Sequence, residues 1–409
     1  MRKAALPVTL PLTVSLPLTV SLRRRWKLVW TAAAAALGLA SLASAAEIEV
    51  RWKTPLVADL ATWKPREYAA PVASADGKRV WLGSATGVAA LDAASGRVLW
   101  RVAMTDPVVG QPALVELPGD ASATLYVSTL AGAVYAFEPA TGKPRWSSPA
   151  RLDLPVRSPL AADQRFVFLV ADPASIHAID RFTGKPSWRW SASVDREYLV
   201  EGQGGAAVYG SMVLAGTPTG KLVALSARDG AILWDATLED RQKSPYGDVD
   251  STPLVMNGPG GKPMAVATSH SGGLCAVALD DGRLLWRYPV EGLGQPIATP
   301  DGIAAVSALG EIHIVDLRGQ LKIARRLHTP VAGNAAWLGN GLMMVPSELG
   351  LDVVRTSDLR ILQRLAGEYG WSSAPIAAGP LWIGMNNGGA VYGLAVRADG
   401  GGWTLPTSP

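Results

Sequence analysis

Two histidines and the single cysteine are the residues whose side chains could bind a metal ion. His177, His313 and Cys275 occupy the same position in different units of a sequence repeat. Zinc needs its ligand atoms within about 2.0 to 2.3 Å, whereas packed sheets lie about 10 Å apart. We therefore predict no metal site and interpret Cys275 as a small buried apolar residue. A lone cysteine also excludes an intramolecular disulfide.

Two carboxylates in GDVDSTPLV, residues 247–255, are the other candidates for a functional site. Asp248 and Asp250 precede Thr252-Pro253, so one interpretation is a pair of solvent-exposed carboxylates in an Asx turn. The other interpretation is a binding site for a partner. The chain has no Gly-x-Ser-x-Gly motif, phosphate loop or CxxC pair. We predict neither catalytic residues nor a cofactor.

The net charge gives no support for a nucleic-acid partner. The chain has 38 Lys and Arg against 34 Asp and Glu, a net charge of +4. Six of the basic residues and none of the acidic ones lie in residues 1–46, so the rest of the chain has a net charge of −2. Nucleic-acid binding requires a basic surface, and we predict none.

Residues 1–46 are interpreted as a leader and signal peptide. The basic run RRRWK at 23–27 precedes LVWTAAAAALGLASL, which is too short for a comfortable membrane span, and Ala43-Ser44-Ala45 fits a cleavage site. We expect cleavage near Ala45 or Ala46 and a periplasmic mature protein without a transmembrane segment. A retained N-terminal anchor is the alternative. No cysteine stands directly after the apolar run, so no lipidated N-terminus is predicted.

An internal repeat organises the remaining chain. LDAASGRVLW at 91–100 recurs as FEPATGKPRW at 137–146, IDRFTGKPSW at 179–188, LSARDGAILW at 225–234 and VALDDGRLLW at 277–286. Each unit of about 40 to 50 residues contains four short strand-like runs, which is typical of a propeller blade. Eight such units predict an all-β fold, an eight-bladed β-propeller of four-stranded antiparallel blades.

The acid, glycine and tryptophan of the repeat have different predicted roles. The acid can accept a hydrogen bond from the backbone two residues on, and the glycine can take a positive φ, so the two close a turn before the outer strand. The tryptophan is expected to bury its ring where two blades meet and to donate its N–H to the neighbour. The predicted docking residues are Trp52, Trp100, Trp146, Trp188, Trp234 and Trp286.

The last three units depart from this pattern. Ile323 and Gln363 stand where the sixth and seventh units would have tryptophan, and the eighth unit lacks a convincing outer strand. The segment EIEVRWKTP at 47–55 has no inner strands of its own. We predict that it completes the final blade and so removes the free sheet edges of an open ring. The predicted organisation is a leader at 1–46, a propeller at 47–396 and a tail at 397–409.

The spacing Asp-x-x-Thr-Gly-x-x-x-Trp, best seen in IDRFTGKPSW, resembles the PQQ-type propeller repeat. That repeat occurs in quinoprotein dehydrogenases and in the propeller family of the outer-membrane β-barrel assembly machine, the BamB type. GDVDSTPLV and the opening WKTPL are similar to stretches of the BamB type. The resemblance implies that Asp248 and Asp250 contact a periplasmic POTRA domain. Gapless alignment of the preceding blade implies a second contact at Tyr198, Val200 and Glu201, where Glu201 reverses the family's charge.

The resemblance therefore favours an exported, non-enzymatic scaffold for protein binding in the cell envelope, with outer-membrane protein assembly as its specific form. Two alternatives stay open. A PQQ-dependent quinoprotein dehydrogenase would be expected to have calcium ligands, a base carboxylate, long loops and a vicinal cysteine pair. A carbohydrate- or peptide-binding propeller is the second alternative.

Overall fold

The strands of this protein form a ring of antiparallel sheets. A computed structural model describes residues 47–57, 70–116, 120, 122–193, 204–240, 242, 246–331, 333–367, 369–398 and 402–403. Their strands form eight sheets, and the inner strands of neighbouring sheets contact one another. The predicted eight-bladed β-propeller is confirmed. The predicted leader and signal peptide at 1–46 lies outside the described residues.

The first four blades follow one another along the chain after the N-terminal strand β1 (Glu47–Pro55). Blade one contains β2 (Val72–Ala73), β3 (Arg79–Ser84), β4 (Gly87–Asp92) and β5 (Val98–Ala103). Blade two contains β6 (Ala113–Val115), β7 (Thr124–Ser128), β8 (Ala133–Phe137) and β9 (Ala150–Arg151). Blade three contains β10 (Ala161–Ala162), β11 (Phe166–Ala171), β12 (Ser175–Asp180) and β13 (Pro186–Ser191). Blade four contains β14 (Ala207–Tyr209), β15 (Met212–Gly216), β16 (Lys221–Ser226) and β17 (Ile232–Thr237).

The second half repeats this order until the last blade. Blade five contains β18 (Leu254–Asn257), β19 (Pro263–Ser269), β20 (Gly273–Ala278) and β21 (Leu284–Tyr288), with a 3-10 turn at Pro259–Gly261. Blade six contains β22 (Ile297–Thr299), β23 (Gly302–Val306), β24 (Glu311–Val315) and β25 (Leu321–Arg326). Blade seven contains β26 (Ala336–Gly339), β27 (Leu342–Ser347), β28 (Gly350–Arg355) and β29 (Arg360–Ala366). Blade eight contains β30 (Ile376–Ala378), β31 (Leu381–Met385), β32 (Ala390–Ala398), the N-terminal β1 and the short β33 (Gly402–Trp403).

The two middle strands of each blade are nearly continuous apolar runs. In blade one, β3 and β4 read RVWLGS and GVAALD, and every residue except the terminal Arg79 and Asp92 is buried. Strict alternation of apolar and polar residues is absent because a blade packs against a neighbour on each of its two faces. Burial does alternate in the outer strands, as in β17 of blade four, where Trp234 and Ala236 are buried and the residues next to them are exposed. The core is therefore a series of apolar layers between blades. Within the described residues, no helix has the length and apolarity that crossing a membrane requires.

Six seams between blades have the same tryptophan contact. In each, an indole Nε1–H donates to a backbone carbonyl of the next blade at 2.9 to 3.1 Å. Five of the indoles belong to outer strands, and the sixth, Trp146, lies in the connection before the outer strand β9. The indole ring also lies against the turn glycine of that blade, where no side chain would fit. The six pairs are Trp52 with Gly96, Trp100 with Gly142, Trp146 with Gly184, Trp188 with Gly230, Trp234 with Gly282 and Trp286 with Gly319.

Ile323 and Gln363 occupy the tryptophan position of blades six and seven. Ile323 pairs with Ile314, and Gln363 pairs with Val353, just as Trp234 pairs with Ala224, each next to a β-bulge. The Gln363 side-chain amide bonds both backbone groups of Ile48, accepting from its N–H and donating to its carbonyl at 3.5 Å. Gln363 therefore forms hydrogen bonds with the edge of β1 that faces away from β32.

The N-terminal strand completes blade eight, as predicted. β1 pairs with β32 from Glu47 opposite Arg397 to Pro55 opposite Ala390. Blade one then holds the far end of β1, because the Arg101 guanidinium donates to the Leu56 carbonyl at 2.9 Å. The Thr54 hydroxyl in turn donates to the Gly96 carbonyl at 2.7 Å. The ring is closed by hydrogen bonds from both flanking blades.

Alanine at Gly282 is expected to disturb the seam between blades four and five. Gly282 has φ +72°, and an added Cβ would lie 2.6 Å from Cε3 of Trp234. Gly260 has a similar φ of +76°, but no described atom lies within 4 Å of its added Cβ. Both substitutions incur the left-handed strain of about 1–2 kcal/mol, and only Gly282→Ala must also displace the indole, at roughly 1–3 kcal/mol more. Urea unfolding of the two variants measures the difference. Equal destabilisation would show that the indole contact contributes nothing.

Alanine at Gln363 is expected to loosen the closing strand. Loss of two hydrogen bonds to Ile48 should accelerate hydrogen exchange across Glu47–Pro55 by roughly tenfold, without affecting β17 in blade four. The control is Gln320→Ala, at an exposed turn position of blade six. Exchange measured by mass spectrometry on both variants tests the role of the amide. Unchanged protection of β1 in the Gln363 variant would contradict it.

Candidate functional site

The acidic motif, residues 247–253, directly precedes the inner strand β18 of blade five, in the connection from blade four. Its backbone is fixed to both blades. The Val249 N–H donates to the Thr217 carbonyl of blade four at 3.1 Å. The Asp248 carbonyl accepts from the His270 N–H of blade five at 2.9 Å, and the Ser269 hydroxyl donates to the Gly247 carbonyl at 2.7 Å. The motif is therefore a rigid part of this face of the ring.

Thr252, inside the motif, links three consecutive blades. Its hydroxyl accepts from the backbone N–H of Gly205, which precedes β14 of blade four, at 2.8 Å. The Gln295 side chain, which precedes β22 of blade six, accepts from the Thr252 N–H and donates to its carbonyl, both at 2.8 Å. Any partner that contacts the motif therefore meets a surface fixed by blades four, five and six together.

The two carboxylates of the motif differ in exposure. Asp248 is 1% exposed, whereas Asp250 is half-buried. Burial, and then the neighbouring negative charge of Asp248, raises the pKa of Asp250 to about 7. The interpretation of both residues as solvent-exposed is therefore wrong for Asp248. The backbone bonds of Val249 and of Asp248 itself hold that segment against blades four and five, and these contacts come from residues distant in sequence.

Tyr198, Val200 and Glu201, the second predicted contact, lie outside the described residues. The described chain resumes at Gly204, which lies against the acidic motif: a Cβ at Gly204 would be 2.5 Å from the Asp250 carbonyl oxygen. The connection into blade four therefore passes directly beside Asp250. Only two residues separate Glu201 from Gly204 in sequence.

The three residues considered as metal ligands lie on different blades. His177, Cys275 and His313 are on β12, β20 and β24, in blades three, five and six. Burial lowers the pKa of His177 to about 4, assisted by Arg189, and burial also lowers the pKa of His313. Both imidazoles are therefore neutral at neutral pH. Burial raises the pKa of the Cys275 thiol to about 11.

Each histidine instead has a hydroxyl partner, on its own strand for His177 and on the preceding blade for His313. His177 Nε2 lies 2.9 Å from the Ser175 hydroxyl, and His313 Nδ1 lies 2.9 Å from the Tyr288 hydroxyl. Across the part of the chain that the structure describes, no group of three or more His, Cys, Asp and Glu side chains is placed to hold a metal ion.

Arginines that bond back to the preceding blade were not anticipated from the sequence. Arg287 follows Trp286 and donates to the Leu238 carbonyl of blade four at 2.6 Å, and Arg101 follows Trp100 and bonds the end of β1 in the same way. The signal was present in the Trp-Arg pairs at 100–101 and 286–287. In a third pair, at 188–189, Arg189 instead donates to the Ser191 hydroxyl of its own strand at 3.0 Å. Trp and Arg point to opposite faces of an outer strand, so the pair can bond both neighbours.

The eight sheets, the repeated turn and the tryptophan seams define a β-propeller of the PQQ-like repeat class. Within that class, the family model described as "Outer membrane protein assembly factor BamB" matches residues 27–116 and 84–323. The match extends over more than half of the chain, and the protein belongs to this family.

Similar proteins include members of both branches of the class. The outer membrane protein assembly factor BamB of Yersinia pestis is 24% identical over 328 residues, which is 75% of this chain and 79% of that protein. The quinoprotein alcohol dehydrogenase PedH of Pseudomonas putida is 31% identical over 137 residues, 31% of this chain and 22% of that protein. The crystal structure of BamB from Moraxella catarrhalis superposes with a TM-score of 0.70 at 17% identity, covering 85% of this chain and 99% of that one. This superposition supports the shared fold.

Asparagine at Asp250 is expected to change how stability depends on pH. The folded pKa of about 7 lies above the ordinary value of 3.8, so the folded protein binds more protons and ionisation opposes folding. The protonated Asp250 carboxyl therefore makes its full contribution to the free energy of unfolding below about pH 4. That contribution is lost as the pH rises to about 7.

Asp250→Asn should remove that dependence and stabilise the protein by roughly 1–3 kcal/mol at pH 8, with little effect at pH 4. Urea unfolding of the variant and the wild type at both pH values is the measurement, and Asp281→Asn, at an exposed turn of blade five, is the control. An equal effect at pH 4 and pH 8 would contradict the shifted pKa.

Proposed function

We propose that the protein is a non-enzymatic scaffold of the cell envelope that binds another protein during outer-membrane protein assembly. The family match over residues 27–323 is the observation that carries this proposal. The BamB relative of Yersinia pestis aligns with 75% of the chain, whereas the quinoprotein relative aligns with 31%. The longer match favours the scaffold over the dehydrogenase. The proposal includes export to the periplasm, with removal of a signal peptide near Ala45 or Ala46.

The acidic motif is the proposed contact surface. Its backbone is fixed by blades four, five and six, so binding needs little ordering of the motif, and less ordering means a smaller entropic cost. Asp250 supplies the half-buried carboxylate, whereas Asp248 is buried and contributes a second negative charge nearby. The resemblance of GDVDSTPLV to the BamB-type stretch supports a POTRA-type domain as the partner.

A basic side chain of the partner is the proposed counterpart of Asp250. The pKa of Asp250 is about 7 in the free protein because of burial and the charge of Asp248. A nearby cation favours the ionised carboxylate, so binding should release a proton near neutral pH. Tyr198, Val200 and Glu201 are proposed as the second contact, because the chain at Gly204 lies beside Asp250.

Capture of the barrel assembly protein tests the proposal. The tagged full-length protein, expressed in a Gram-negative host, should co-purify the barrel protein from a detergent-solubilised envelope. Asp250→Lys should reduce recovery at least about tenfold, since a like charge faces the partner's cation and the carboxylate is lost. Asp250→Asn removes the charge at constant size and should have a smaller effect in the same direction.

Asp281→Lys is the matched control, since it reverses an exposed carboxylate in a turn of blade five. Circular dichroism and thermal unfolding establish that each variant is folded. If the wild type captures no barrel protein, the proposed function is wrong. If capture by folded Asp250→Lys and Asp250→Asn equals that of the wild type, the proposed contact is wrong.

A further inference from the structure

Two exposed leucines stand in neighbouring turns of blades six and seven. Leu309 lies in the turn between β23 and β24, and Leu349 lies in the turn between β27 and β28. Leu309 is 66% exposed and Leu349 is 53% exposed. Among the described residues, no other large apolar side chain is as exposed as Leu309. Side chains exposed to this degree add little to the packing of the ring.

Threonine occupies the same turn position in blades one and four, where it has a structural role. Thr86 and Thr219, like the two leucines, directly precede a glycine of positive φ. The Thr86 hydroxyl lies 3.1 Å from the Ser84 hydroxyl, and the Thr219 hydroxyl lies 2.8 Å from the Thr217 hydroxyl. Leucine cannot form this hydrogen bond and exposes apolar surface instead. The geometry of the turn therefore does not explain the leucines.

Backbone contacts connect the acidic motif to the leucine turn of blade six. The Asp248 carbonyl accepts from the His270 N–H at 2.9 Å, and the His270 carbonyl accepts from the Gly292 N–H at 3.2 Å. The next residue, Leu293, forms an antiparallel bridge with Ser307. Ser307 is the residue with which the turn between β23 and β24 begins. The motif and this turn therefore lie on the same face of the ring.

The same face continues to the leucine turn of blade seven. Val331, in the connection from blade six to blade seven, donates its N–H to the Ala308 carbonyl at 3.1 Å. Val331 also forms an antiparallel bridge with Ser347, the last residue of β27. The turn that carries Leu349 follows directly. One continuous face therefore extends from the acidic motif over blades five, six and seven.

This face has a negative charge. The segments that form it are residues 246–253, 269–273, 289–295, 307–310, 327–335 and 347–350. They contain four carboxylates and neither lysine nor arginine. Glu311, two residues after Leu309, pairs with Arg326 at 4.0 Å, so these two add no net charge. An anionic membrane or a nucleic acid would be repelled by this face.

Each of the three blades supplies one carboxylate and one exposed apolar side chain to the face. The pairs are Asp250 with Tyr246 before blade five, Glu291 with Leu309 at blade six, and Glu348 with Leu349 at blade seven. Exposed apolar side chains that form a patch among polar ones are typical of a protein contact. The complementary surface is apolar and basic, because the charges across an interface are opposite in sign.

We propose that these six residues bind a basic amphipathic segment of the same partner that the acidic motif binds. The inference rests on the proposed function, because the motif and the two leucine turns form one face. Lysine or arginine side chains of the segment pair with Asp250, Glu291 and Glu348. Its apolar side chains cover Leu309 and Leu349. The partner contact therefore extends over three blades and is broader than the acidic motif alone.

Threonine at both leucines tests the apolar part of the contact. Leu309→Thr combined with Leu349→Thr introduces the residue that blades one and four have at this position, so the variant should fold. It should reduce recovery of the barrel protein from the solubilised envelope at least about tenfold. The matched control is Ile232→Thr combined with Leu321→Thr. These side chains are 54% and 51% exposed at the start of β17 and β25, at the opposite end of the sheets.

Glutamine at Glu291 and Glu348 tests the charge of the contact. Removing two negative charges should reduce recovery and make the remaining capture less sensitive to salt between about 50 and 300 mM. Glu47→Gln combined with Glu116→Gln is the control, since it removes two exposed carboxylates from β1 and blade two. Equal recovery and equal salt dependence in the two variants would show that the partner segment is not basic.

Photo-crosslinking identifies the neighbour of the leucine turns. The variant Leu349→benzoylphenylalanine should crosslink to the barrel protein in living cells, whereas Ile232→benzoylphenylalanine should not. The inference alone is wrong if Asp250→Lys lowers recovery but the folded leucine variant captures as well as its control. Crosslinking of position 349 to a different protein also overturns it. If the wild type captures no barrel protein, the proposed function and this inference fail together.

Discussion

The face-to-face packing of neighbouring blades is the interaction on which the rest of the structure depends. A middle strand such as β20 is buried along its whole length, and its apolar side chains contact the blades on either side. A single blade would expose both of these faces to water, which costs about 25 cal/mol of free energy for each Å² of apolar surface. Stability is therefore a property of the closed ring, and the tryptophan contacts act where one blade meets the next.

The seams are alike in geometry but differ in chemistry. Six use an indole that combines a large apolar face with one N–H donor, a pairing suited to a contact that is apolar except for one carbonyl. Where Gln363 replaces tryptophan, the amide supplies both a donor and an acceptor, and the neighbour is the backbone of β1. The change of residue coincides with a change of neighbour, from a turn to the closing strand.

The sequence predicted the repeated parts of this protein well. The number of blades and the use of residues 47–55 in the last blade followed from strand periodicity and from an eighth unit without an outer strand. The burial of Asp248 did not follow, because it depends on Thr217 and His270, which belong to different blades. The Thr252 to Gln295 bonds join residues 43 positions apart. Local patterns carry no information about such contacts.

Completion of the last blade by the first strand also constrains the order of folding. Ile48 and Gln363 are 315 positions apart, so bringing them together costs roughly 2 kcal/mol more loop-closure entropy than forming one blade. Contacts of such long range slow folding. Until β32 has been synthesised, residues 47–55 lack their strand partner and β31 has an unpaired edge. An incompletely synthesised chain therefore exposes sheet edges that the closed ring covers, and such edges favour association with other chains.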